Sequence, residues 1–216
     1  MIAAPALGSM RLAEEPDPRI FSPHVVRNRA PILAVLRRML PPTGLVVEVA
    51  SGSGEQAVYF AERLPGHSWQ PTDIDQHALA SIAAHSEAAG LANLLPPQRL
   101  DATAERWPVE RAAALVCINM IHIAPWTVTE GLMAGARRLL PAGGMVYLYG
   151  PYKIDGRHSA PSNQEFDAWL RNQNPLWGIR DVTEVTGLAA RSGFALIETV
   201  PMPANNLSLI FSKREE

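Results

Sequence analysis

Residues 45–57 read LVVEVASGSGEQA, and this stretch decides the fold. Leu45 to Val49 is a short, β-branched run of the kind that fills a strand buried on both faces. Ala50-Ser51-Gly52-Ser53-Gly54 follows at once, and glycines there let the chain turn sharply and let another molecule approach bare backbone. Ala57, Phe60, Ala61 and Leu64 then recur at helical spacing. Strand, glycine turn and helix form the opening unit of a doubly wound sheet. The new helix points its unpaired N–H groups into the crevice above the turn.

The same alternation extends in both directions. Upstream, Ser22-Pro23 starts a helix carrying Val26, Leu33, Leu36 and Leu40, which Pro41-Pro42 stops. Downstream, His67 to Thr72 reads as a strand ending at Asp73, and Gln76 to Ala89 as a helix closed by Gly90. Pro97 to Leu100 is a strand ending at Asp101, and Ala113 to Asn119 is another. Thr127 to Leu140 is a helix stopped by Pro141, and Met145 to Tyr149 a further strand. Strands and helices in this order predict a parallel sheet covered on both faces.

Gly150 to Arg180 breaks the rhythm with a polar, irregular stretch whose one helix is expected to start at a Ser162/Glu165 capping box. Asp181 and Glu184 form a second box, and Gly193 ends that helix. Phe194–Val200 and Leu207–Phe211 are joined by only PMPANN, too short for a parallel crossover, so they must pair antiparallel. The predicted fold class is therefore α/β: a doubly wound, mostly parallel Rossmann-like sheet with helices on both faces and a C-terminal antiparallel hairpin. Residues 1–21 are expected to be a flexible leader, with Met10 an alternative start. Residues 22–216 are expected to form one domain, with 151–180 inserted above the sheet edge.

Composition narrows the class of function. The 216 residues carry 19 basic and 21 acidic side chains, a net charge of −2, so no general field draws in phosphate backbones or anionic lipid. Cys117 is the only cysteine, which rules out an intrachain disulfide and points to the cytoplasm. No apolar run reaches the roughly 18 residues of a membrane span. His24, His67, His77, His85 and His158 show no metal-ligand spacing with acids, and no metal is expected.

Acidic residues fall in phase with the glycine turn. Asp73 ends the second strand, where a carboxylate can accept hydrogen bonds from both hydroxyls of a ribose. Asp101 ends the third strand on the same edge, and Glu48 sits within the first. The alternative for Asp73 and Asp101 is a cap on the element that follows, and Asp75 is well placed to cap its helix.

With these residues in place, the chain resembles the class I S-adenosylmethionine-dependent methyltransferases from about Leu45 to Phe211. EVASGSGEQAVYFA is similar to that family's first motif. The resemblance implies that Ala50, Gly52 and Gly54 receive the methionine part of the cofactor, with Glu48 orienting the turn. It makes Asp73, beside Ile74, the ribose-binding acid, and Asp101-Ala102 the contact to adenine. Asn119-Met120 would end the fourth strand beside the cofactor. SPHVVRNRAPIL, WQPTDID, SNQEFDAWLRNQNPLWGIRD and PANNLSLIF further resemble the methyltransferase-like protein 26 group, for which no substrate is established. The implied cofactor is S-adenosyl-L-methionine, with S-adenosyl-L-homocysteine as product.

The acceptor is expected to be a small molecule rather than nucleic acid, because Asn119-Met-Ile-His122 stands where base N-methylases carry Asn/Asp-Pro-Pro-aromatic. His122 is the candidate general base, its alternative being a buried imidazole bonded to backbone. Asn28 and Arg29, with Arg27, either meet the cofactor or form a solvated helix face. Tyr152, Trp177 and Asn205 are candidate substrate contacts, in a region that also holds Lys153, Phe166, Trp169 and Arg180. A single-domain NAD(P)-dependent oxidoreductase is the main rival, since Gly52-Ser-Gly54-Glu-Gln-Ala57 fits its fingerprint. A non-catalytic cofactor-binding regulator is the third class. The sequence leaves the oligomeric state open.

Overall fold

The computed structural model describes residues 17–215. Helix α1 (Pro23–Met39) leads into β1 (Gly44–Val49), the glycine turn and α2 (Glu55–Arg63). Next come β2 (His67–Asp73), α3 (Gln76–Ala89), β3 (Gln98–Arg99), β4 (Ala114–Ile118) and α4 (Trp126–Leu139). Then β5 (Met145–Ile154), β6 (Arg157–His158), α5 (Pro161–Gln173), β7 (Arg180–Asp181) and α6 (Val182–Arg191) precede a hairpin of β8 (Phe194–Met202) and β9 (Asn206–Lys213).

The strand order is β3-β2-β1-β4-β5-β9-β8. Pairs from β3 to β5 are parallel, and β9 runs antiparallel to both β5 and β8. This is the expected α/β outline, with the hairpin closing one side. Each strand feeds both faces because side chains alternate. Val46, Val116 and Tyr147 pack with Leu36 of α1 and Phe60 of α2, while Val47, Leu115 and Val146 pack with Leu132 of α4 and Val185 of α6. Both faces of the central strands are covered, which explains the apolar run Leu45–Val47 in β1 and leaves Glu48 buried within the same strand.

Helix boundaries follow their punctuation. Asp75 accepts from the Ala78 N–H at 2.9 Å, and Gly90 closes α3 in the left-handed region. Asp181 and Glu184 form the predicted capping box on α6. Gly131 and Gly135, one turn apart on α4, lie under the β3–β4 connection. A Cβ at Gly131 would sit 2.5 Å from the Ala102 carbonyl oxygen, and one at Gly135 would overlap the Trp107 indole.

Three expectations need correction. The α5 helix starts at Pro161 with Ala160 as N-cap and no side-chain cap, so the Ser162/Glu165 box does not form; the proline already supplies the first-turn dihedral. The strand expected to end at Tyr149 runs on to Ile154. Met145 donates toward β4 and Tyr149 accepts from it, so the odd-numbered positions of β5 face that strand. β4 pairs with β5 only as far as Ile118↔Tyr149, so the N–H that Pro151 lacks would have met no partner. Tyr152, expected on the substrate wall, is 1% exposed in the core with Leu148 and Val185, because the extended β5 turns this even-numbered position toward α6. Most of the expected leader lies outside the described residues. Ile20 and Phe21, which fall within it, are held against α3.

Candidate functional site

The carboxyl ends of the parallel strands open into a cavity of about 670 Å³. Its lining comes from the glycine turn, the ends of β2, β4 and β5, the start of α1, α5 and the β8–β9 hairpin.

The glycine turn is braced from below. Ser51 N–H donates to the Thr72 carbonyl at 2.9 Å, and Thr72 Oγ1 donates to the Glu48 carbonyl at 2.8 Å. Ala50 then takes φ +59°, Gly52 +58° and Gly54 +88°, so three residues of the turn are left-handed. Gly52 has open space where a Cβ would be. Gly54 does not: a Cβ would lie 2.7 Å from Ile82 Cα, so this glycine permits α2 to seat against α3. At the end of β4, Asn119 repeats the pattern with φ +58°. Non-glycine residues in this region are strained, and here three of them, Ala50, Asn119 and Ala204, line one cavity.

Asp73 ties the end of β2 to the glycine turn. Its Oδ2 accepts from Gly52 N–H at 2.9 Å and its Oδ1 from Asp75 N–H at 3.0 Å. A carboxylate has about four lone-pair positions, so one on each oxygen stays available to a diol. Those residues fit a ribose held beside a glycine turn.

On the other side of β4 stand His122, Pro151, Asn163, Phe166, Ala204 and Asn206. His122 is 3% exposed and its Nδ1 has no hydrogen-bond partner. Phe166 meets the ring edge-on at 5.8 Å, and Gly150 leaves space for it, since a Cβ there would be 3.1 Å from Nδ1. Burial, helped by the Arg180 charge, pushes the His122 imidazole down to about 4, so it is uncharged at neutral pH. At the hairpin tip, Ala204 and Asn205 are both left-handed, which turns the Asn205 carbonyl onto the Asn163 amide at 3.0 Å.

The start of the described chain forms the remaining wall. Ile20 N–H donates to Ser81 Oγ at 2.8 Å, and its carbonyl meets His85 Nε2 at 2.9 Å. Ser22 N–H donates to Glu55 Oε2 at 2.7 Å. These bonds hold Ile20, Ser22, His24, Val25 and Asn28 over the cavity.

Of the residues singled out in the sequence, Asn28, Ala50, Gly52, Asp73, Asn119, Met120 and His122 come together in this lining. Others lie outside it. Glu48 is 1% exposed and accepts from Trp69 Nε1 at 2.7 Å. Burial pushes its carboxyl up to about 7 against the opposing pull of that hydrogen bond. Asp101 uses Oδ1 to bind the N–H and hydroxyl of Thr103, which holds its carboxyl below the usual range. Ala102 is packed under Gly131 of α4. Ile74 is exposed beside Asp73, and the Arg29 guanidinium lies over the Tyr59 ring at 4.7 Å. Trp177 donates its N–H to the Asn174 carbonyl, and Asn205 contributes backbone rather than side chain. Ile20, Ser22, Pro151 and Asn163 were missed. Ser22 reads only as a helix start and Asn163 only as part of a helix, while the contacts that bring Ile20, Ser22 and Asn163 to the cavity span 33 to 61 positions, such as Ser22 to Glu55 and Ile20 to Ser81. Among the described residues, no group of three or more His, Cys, Asp or Glu could hold a metal ion, and no helix is long and apolar enough to cross a membrane.

Solved structures share this architecture at low identity. An O-methyltransferase family 2 protein from Planctomyces limnophilus, crystallised with apigenin, superposes with a TM-score of 0.74 at 17% identity, over 86% of this chain and 56% of that one. Human N-acetylserotonin methyltransferase, in complex with S-adenosylmethionine, gives 0.73 at 16%, over 89% and 53%. The YcgJ protein from Bacillus subtilis gives 0.67 at 12%, over 87% of this chain and 98% of its own. The chain thus has the class I methyltransferase fold and spans little more than half the length of the first two enzymes. A family model described as protein of unknown function (DUF938) matches residues 19–213, and the chain belongs to that family.

Proposed function

We propose that the protein transfers a methyl group from S-adenosylmethionine to a small-molecule acceptor. One observation carries the reading: Gly52 and Asp73 are hydrogen-bonded to each other at one end of a cavity whose other end holds a buried imidazole with an unpartnered Nδ1. Neighbours of the same fold that bind S-adenosylmethionine or a flavonoid support it. So does the resemblance to the methyltransferase-like protein 26 group.

When bound, the cofactor supplies an electrophilic methyl group on a sulfonium: the acceptor atom bonds to that carbon as the carbon–sulfur bond breaks, leaving a neutral thioether. The chain supplies alignment and exclusion of water. Asp73 holds the ribose hydroxyls, and the left-handed backbone at Ala50 and Gly52 clears space for the amino-acid end. His122, uncharged at neutral pH, receives the proton that the acceptor atom loses and passes it to solvent.

Titration calorimetry with S-adenosylmethionine and S-adenosylhomocysteine tests the reading. Both should bind, and Asp73→Ala should weaken both by about 10- to 100-fold through loss of two charge-assisted hydrogen bonds. No binding to the unaltered protein would remove methyl transfer from consideration.

A further inference from the structure

We infer that the end of the cavity under β5 and β9 selects an uncharged acceptor that donates hydrogen bonds, and turns away carboxylates and phosphates. The inference rests on the methyl-transfer reading of the same site and names its substrate class.

Strand order separates two halves. β2 and β1 carry Asp73 and the glycine turn; β4 lies in the middle; β5 and β9 carry Pro151 and Asn206. With strands roughly 4.8 Å apart, β2 and β9 are about 19 Å from one another, enough for two molecules in a row. On the β5–β9 side the polar side chains lining the cavity are His122, Asn163 and Asn206, joined from the end of β4 by Asn119, whose Oδ1 lies 3.6 Å from where a Gly150 Cβ would be.

Asn163 and Asn206 have already spent their donors. Asn163 Nδ2 donates to Ser159 Oγ and to the Asn205 carbonyl, each at 3.0 Å. Asn206 Nδ2 donates to Tyr149 Oη and to the Pro203 carbonyl, each at 3.1 Å. A backbone carbonyl can only accept, so the amide nitrogen of each asparagine must face its carbonyl and the orientation is fixed. Each amide has two hydrogens and each has two acceptors, which leaves only Oδ1 to meet a ligand.

Nothing else at this end offers positive charge. Neither lysine nor arginine lines the cavity among the described residues, and Pro151 has no N–H. The guanidinium whose charge reaches His122, that of Arg180, is engaged by the carbonyls of Ile121, Ala124 and Leu176. An anion placed here would lose its hydration and face acceptor oxygens, whereas an O–H or N–H donor would satisfy them. A cationic acceptor would bring a second positive charge beside the sulfonium, which favours the uncharged form.

Three fragments of matched size test this: resorcinol, benzoate and benzylammonium, ranked by ligand-observed NMR with and without S-adenosylhomocysteine or S-adenosylmethionine. Resorcinol should bind at least ten-fold more tightly than benzoate, and than benzylammonium once S-adenosylmethionine supplies the sulfonium; Asn206→Ala should narrow the preference over benzoate to within about three-fold. Asn163→Ala provides a second variant should Asn206→Ala fail to fold. Tighter benzoate, tighter benzylammonium beside S-adenosylmethionine, no binding of resorcinol, or an unchanged preference over benzoate in the folded variants overturns the inference. If S-adenosylhomocysteine fails to bind while the fragment ranking and its dependence on the asparagines persist, methyl transfer falls and the donor selectivity stands.

Discussion

Replacing Glu48 with glutamine should stabilise the protein in alkaline solution and leave it nearly unchanged in acid. The carboxyl is 1% exposed and has one strong donor, Trp69 Nε1. Burial pushes it up from 4.5 to about 7. The folded state therefore holds this proton more tightly than the unfolded chain does. The associated stability is fully present below pH 4.5 and is lost as pH rises through 7. At about 1.4 kcal/mol per pH unit the interval corresponds to about 3 kcal/mol. Glutamine keeps the shape, keeps an acceptor for Trp69 and never ionises. Urea unfolding of both proteins at pH 5 and pH 8.5 isolates the effect, because every other titrating group cancels in the difference. The variant should gain about 2.5 kcal/mol over the native protein between the two conditions, since part of the effect is already spent at pH 5, or roughly 5–10 °C in Tm. A difference that is flat with pH, or that shrinks as pH rises, would refute the assignment of a buried, protonated Glu48.

Other perturbations have distinct signatures. His122→Ala should abolish turnover while S-adenosylhomocysteine affinity, read by calorimetry, changes little. The same residue makes the fold lose stability as pH falls from 6.5 to about 4, since the unfolded chain takes up the proton first; the loss should be absent in His122→Phe when acid unfolding is followed by circular dichroism. Gly150→Ala should displace the imidazole by a few tenths of an ångström and lower kcat about ten-fold with KM for the cofactor unchanged, because its Cβ would crowd Nδ1 at 3.1 Å. Gly135→Ala drives a methyl group into the Trp107 indole, and should cost about 1–3 kcal/mol in thermal unfolding without affecting the cavity.

Local patterns in the sequence were enough for the order of elements and for the glycine-turn half of the cavity. Val46 and Val47 show burial on both faces, Gly52 and Gly54 mark the turn, and Asp73 falls at a strand end. Each of these is a short-range signal. The β5–β9 half is not written that way. Pro151 reads as a strand breaker, and only the early end of β4 makes its missing N–H harmless. Tyr152 follows in a strand that looked finished, and so its alternation toward α6 was invisible. Asn163 sits in what reads as a capping box, yet its amide turns to a hairpin tip more than 40 positions away. Asp101 stands at its strand end as the spacing suggested, but it lies outside the cavity lining, with Oδ1 taken by a neighbouring threonine.

The wall contributed by Ile20 and Ser22 has a bearing on when the site comes into being. The cavity is bounded at one extreme by Ile20 and at the other by Asn206. On a ribosome, the first of these waits for Ser81 and His85 to be made before it has anything to hold. The last arrives only after the whole parallel sheet has been synthesised. A molecule that binds this cavity therefore cannot template the early stages of folding; it stabilises by mass action only a chain that has already brought Ile20 and Asn206 to one site.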